Sequence, residues 1–95
     1  MRDKHLIIVE YSDSSSMVYE VPEEVEAVEE VTSEVFERWN VKLRNKNGTY
    51  SWVRINPPSA GDEIVIRDCE KKLQFHTKRN QVKKDPLTRM WVGGP

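Results

Sequence analysis

The sequence predicts an α+β domain, a mixed sheet of four to five strands with one amphipathic helix packed across it. Three observations carry that expectation. Two strand-like runs flank a serine-rich turn near the start, valines opposite glutamates recur on a helical period in residues 21–40, and Asn47-Gly48 marks a later hairpin. With 95 residues, 37% hydrophobic and 33% charged, the chain can bury a single modest core and is not of disordered composition.

Each element has a local justification. "HLIIVEY" is an apolar, β-branched run, and "MVYEV" follows it across "SDSSS", so the two read as antiparallel partners. The consecutive apolar positions Leu6 to Val9 suit a strand central in its sheet or buried on both faces. In "VPEEVEAVEEVTSEVFERWN", Pro22 fits a first helical turn and the glutamates after it favour that positive end. At 100° per residue, Val25, Val28, Thr32, Val35, Phe36 and Trp39 gather on one side, with most of the glutamates opposite. Alternating runs flank "KNGT", and Asn-Gly is a strong hairpin signal. "NPPSAGD" is a rigid loop, "DEIVIRD" a further strand, and "KKLQFHT" its partner across "DCE". Residues 1–77 thus form the folded domain, 78–90 a basic segment that is a further strand or a loop, and 91–95 a flexible tail.

Charge is unevenly spread. Residues 1–38 hold 3 Lys/Arg and 11 Asp/Glu, and residues 39–95 hold 12 and 5, balances of −8 and +7 that sum to −1. Such asymmetry gives either two faces for different partners or two halves that attract each other within one fold. No apolar run approaches the roughly 20 residues of a membrane helix, and the opening apolar stretch is too short for a signal peptide. The single cysteine, Cys69, permits no internal disulfide. Together these lead to the expectation of a cytoplasmic protein.

The order hairpin, helix, further strands resembles the β-grasp fold of ubiquitin-like proteins. "HLIIVEY…MVYEVPEEVEAVEEV" looks like their opening hairpin and helix, and "PSAGDEIVIRD" like the loop and strand near the end of β-grasp carriers. "GDEIVIRDCEKKLQFHT" is similar to single-domain ubiquitin-like proteins encoded beside bacterial activating and conjugating enzymes and a zinc peptidase. The resemblance implies a protein modifier, itself no enzyme and needing no cofactor, with a role in defence against phage. A peptidase would remove Pro95, an activating and a conjugating enzyme would handle the chain, and Gly94 would be joined to target amines with Gly93 giving clearance in narrow sites. Two departures stand out: about two dozen residues separate "GDEIVIRD" from the diglycine, and Pro95 lies beyond it.

The alternative is a non-enzymatic binding module. Lys71, Lys72, Lys78, Arg79, Lys83 and Lys84, with Arg89, Phe75, His76 and Trp91, form a basic, aromatic C-terminal half suited to nucleic acid; the same lysines are candidate acceptors for another copy's tail. The acidic helix face offers a site for a basic protein. His5, His76 and Cys69 lie far apart in sequence, so no metal site is expected, and Cys69 with His76 lacks a third orienting group for nucleophilic catalysis.

Overall fold

The computed structural model describes residues 5–34, 38–59 and 61–84. Eight strands occupy them: β1 (His5–Tyr11), β2 (Ser16–Val21), β3 (Val25–Ser33), β4 (Trp39–Asn45), β5 (Tyr50–Ile55), β6 (Glu63–Arg67), β7 (Gln74–Lys78) and β8 (Lys83–Lys84), with a 3₁₀ turn at Arg79–Gln81 before the last. They form two four-stranded sheets, ordered β2-β1-β6-β7 and β5-β4-β3-β8. All strand pairs are antiparallel except β3 with β8. The chain changes sheet between β2 and β3, between β5 and β6, and between β7 and β8.

One core joins the sheets. Ile7, Val9, Val21, Ile64 and Ile66 from the first sheet meet Val31, Trp39, Val41, Leu43, Val53 and Ile55 from the second. Alternation explains β4, where Trp39, Val41 and Leu43 are buried while Asn40, Lys42 and Arg44 face outward. Two glycines meet specific demands. Gly48 adopts a φ of 89° in the β4–β5 turn, whereas Gly61, at φ 77°, lies so close to Ser12 that a Cβ would sit 2.8 Å from its Oγ.

This architecture overturns the expected α+β, β-grasp fold with its amphipathic helix. Instead of a single mixed sheet under a helix there are two sheets face to face, and the 3₁₀ turn is the only helical element among the described residues. The stretch read as a helix holds β3 and the start of β4, while Val35, Phe36 and Glu37 lie outside the described residues, and the misleading signal has a definite origin. On β4, Asn45, Leu43 and Val41 step by two, as inward residues of a strand must. Their partners on β3 are Val25, Val28 and Val31, which step by three. Irregularities between Val25 and Ala27 and between Val28 and Glu30 each insert one residue, Glu26 and then Glu29. Two bulges thereby convert the strand period into a helix-like one. Both inserted glutamates turn outward to Arg44, at 3.7 Å and 2.8 Å. Local preference favours the strand, because valine and threonine are stiff at χ1 and pack well on a pleated surface.

The bulges predict a contrast between two variants. Deleting Glu29 removes one bulge and turns Val25 and Val28 toward solvent relative to Val31, at a cost of about 3 kcal/mol for two half-exposed valines. Glu29→Ala keeps the backbone and loses only an exposed ion pair, at a cost of about 0–1 kcal/mol. Urea unfolding of the two variants measures the difference.

Candidate functional site

Among the described residues the sandwich leaves one lateral side open. β2 ends the first sheet and β5 the second, and these two edge strands lie beside one another. All the exposed large apolar side chains among the described residues belong to them: Met17 and Val18 on β2, Tyr50 and Trp52 on β5, with Trp52 63% exposed.

Hydrogen-bond parity says which backbone groups face outward. Across the β4–β5 turn, Asn45 N–H donates to the Thr49 carbonyl, so the bonded pairs recur at Leu43–Ser51 and Val41–Val53. The N–H and C=O groups of Tyr50, Trp52 and Arg54 therefore point away from β4, along the free edge. The β1–β2 hairpin behaves alike. Tyr11 N–H donates to the Ser15 carbonyl, which leaves Ser16, Val18 and Glu20 with edge-facing backbone groups. On both edges the residues that offer free hydrogen-bonding groups also turn their side chains outward.

The β5 edge is chemically elaborated. Lys42 on β4 stands opposite Trp52, and its Nζ lies 4.4 Å from the Tyr50 ring centroid and 5.7 Å from that of Trp52. The two rings are 6.3 Å apart and tilted by 46°. Exposed cation–π contacts of this kind contribute roughly 0.5–1 kcal/mol, enough to bias the aromatic rotamers. Arg54 completes the stripe and reaches Glu34 at 3.2 Å. Among the described residues Lys42 makes no ion pair.

Two tyrosines of the first sheet anchor the far end of β5. The Tyr11 hydroxyl donates to the Asn56 carbonyl at 2.7 Å, and Tyr19 lies beside Tyr11 and the Asn56 backbone. Partial burial, with Tyr19 and Asp13 nearby, pushes the Tyr11 phenol up to about 12, and partial burial also raises that of Tyr19.

The residues singled out from the sequence are scattered. Lys71 and Lys72 occupy the β6–β7 turn, where Lys72 pairs with Glu70 at 3.1 Å. Lys78 ends β7, 3.9 Å from Glu63, which also bonds His76 at 2.8 Å. Arg79 stacks over Trp39 at 5.7 Å and donates to the Pro58 carbonyl. Lys83 and Lys84 form β8. Along β7, the first and second of these groups are separated by about 17 Å of extended chain. Phe75 packs against the core. Gly93, Gly94, Pro95, Arg89 and Trp91 lie outside the described residues. Cys69 is exposed and lines an open cleft of about 690 Å³ with His5, Glu24 and Lys46, away from His76. Among the described residues no group of His, Cys, Asp and Glu could hold a metal ion, and no helix is long and apolar enough to cross a membrane.

Compared with known proteins, the chain matches no family model, no curated protein and no solved structure. The ubiquitin-like modifier reading, with its implied antiphage role, is thereby overturned: its hairpin-and-helix order is absent, and no similarity replaces it. The acidic helix offered to a basic protein falls with the helix: Glu26 and Glu29 on β3 pair with Arg44, and Glu24 and Glu34 at its two ends pair with Lys46 and Arg54. Among the described residues, the basic positions of the C-terminal half form no continuous patch either. Sequence reasoning missed Lys42, Tyr50, Trp52 and Arg54 as a unit. The signal was present in "YSWVRI", where Val53 and Ile55 claim the core and so consign the aromatics to the opposite face.

The tyrosine anchor predicts a pH dependence. A phenol held above its ordinary value contributes stability that is full below pH 10 and is lost as pH rises toward 12. Tyr11→Phe should flatten that decline while lowering stability at neutral pH by about 1 kcal/mol, the net value of one hydrogen bond. Thermal unfolding between pH 8 and 12, with tyrosinate absorbance, measures both.

Proposed function

We propose that the chain acts by binding rather than by catalysis, as a module that takes an extended segment of a partner protein along the free edge of β5. One observation carries the reading: the exposed Trp52 and Tyr50 and the Arg54 side chain belong to the same residues whose backbone groups are unpaired among the described residues. Strand addition draws affinity from main-chain hydrogen bonds and specificity from alternate side chains. Trp, Tyr and Arg are also the residues that dominate protein interfaces energetically.

Charge favours a protein over a nucleic acid. On the outer face of the second sheet, the cations Lys42, Arg44 and Arg54 lie beside Glu26, Glu29, Glu30 and Glu34. Arg44 and Arg54 are already bound to those carboxylates. A polyanion laid across the face would meet a row of negative charge. A single extended segment confined to the β5 edge would meet Trp52, Arg54 and Lys42 instead. Its sequence should alternate, with apolar side chains against the aromatics and a carboxylate toward the cations.

Selection from a phage-displayed library of random peptides tests the proposal. Enriched peptides should show that alternation, and Trp52→Ala should weaken them by at least tenfold. Arg54→Pro removes an N–H that β4 does not use, so it should abolish binding, while Arg54→Ala retains most of it. Absence of enrichment, indifference to all three substitutions, or Trp52-dependent quenching by oligothymidine in preference to peptide would each overturn it.

A further inference from the structure

We infer that the second open edge, β2, is a self-association site at which two copies of the chain pair antiparallel about Val18 and join their first sheets into one eight-stranded sheet. The occupant follows from the order of residues along the edge. Among the described residues, Ser16, Val18 and Glu20 carry the backbone groups without a partner strand, and a two-fold pairing must set members of this set against one another.

Five registers satisfy that condition, and side chains distinguish them. Centring on Glu20 opposes two carboxylates directly, and centring on Tyr19 sets Val18 against the partner's Glu20. Centring on Ser16 or Met17 shortens the overlap. Centring on Val18 overlaps nearly the whole strand and places Val18 on the partner's Val18 and Glu20 on the partner's Ser16. No like charges then stand opposite one another.

Two further features of the surface agree with this register. Ile8 stands beside Val18 on the outer face of the first sheet and is only half-buried, so pairing makes one apolar row of four residues across the two-fold axis. Met17 points toward the core from Val9's partner position yet remains 44% exposed, because the edge leaves it uncovered. In the Val18-centred register Met17 lies opposite the partner's Tyr19, a sulfur–aromatic pairing. β2 also lacks proline, lysine and any register shift along its pairing with β1, the devices by which edge strands are ordinarily blocked.

The decisive experiment reads register as well as mass. Sedimentation equilibrium of the full chain should give near twice the 11.2 kDa of one copy, and Val18→Lys should return the single mass with an unchanged far-ultraviolet spectrum. In a Cys69→Ser background, Val18→Cys brings two thiols to Cα atoms about 5.5 Å apart, whereas Glu20→Cys leaves them about 14 Å apart. A bismaleimide whose span falls between those separations should cross-link the first at least tenfold faster. Trp52→Ala should leave the dimer intact, which separates this edge from β5. A single mass for the unaltered chain, equal cross-linking at both positions, or dissociation by Trp52→Ala in place of Val18→Lys would overturn the proposal.

Discussion

The structure depends on how β3 is laid against β4. β4 is a regular strand whose Trp39, Val41 and Leu43 belong to the core, and β3 sets Val31, Val28 and Val25 opposite its inward positions Val41, Leu43 and Asn45. It does so only because Glu26 and Glu29 are set aside in bulges. The ion pairs of these glutamates with Arg44 are exposed, with side chains 35–52% accessible, and contribute at most about 1 kcal/mol together with their neighbours' screening. Burying even part of Val25, Val28 and Val31 is worth several times that. Hydrophobic register therefore dictates the bulges, and the charges follow as their outward consequence.

That arrangement in turn shapes the outer face of the second sheet. Arg44 is drawn toward β3 by two carboxylates and Arg54 toward Glu34, while Lys42, between them on β4, turns to the aromatic rings of β5. The division leaves an acidic strip balanced by arginines on one side and an aromatic edge with its own lysine on the other. The −8 and +7 halves of the sequence thus attract one another within one fold, chiefly across the β3–β4 ladder, with Arg54–Glu34 and Arg67–Glu10 as further pairs.

Local signals in the sequence carried the hairpins. The serine-rich turn, Asn47-Gly48 and the "DCE" turn each join antiparallel partners, because turn chemistry and alternation are short-range properties. The helix was misread because periodicity alone cannot tell a helix from a strand interrupted twice at three-residue intervals. One wrong element then changed the fold class, and with it the resemblance and the function drawn from it. The site was hidden for a different reason. Tyr50 and Trp52 alternate with Val53 and Ile55, so the outward face was readable, but only the sheet order makes β5 an edge. Edge position is a long-range property that no local pattern of "YSWVRI" encodes.

The two sides of the sandwich are treated differently, and the difference bears on what the open side is for. At the β7–β8 side, β7 presents His76 and Lys78 and β8 is two residues long, so neither invites an added strand. At the β2–β5 side, both strands are six residues long and free of proline, and all the exposed large apolar side chains among the described residues collect there. Leaving backbone groups and apolar surface together on one edge is a hazard to a soluble chain, since it templates aggregation. A strand such as β5, whose rings are held by Lys42 and whose end is pinned through Asn56 by Tyr11, is ordered rather than merely unprotected. Pre-ordering of this sort lowers the entropy lost on binding and does nothing to protect an idle surface. On the proposed reading the open side is a pair of docking edges rather than an incomplete barrel.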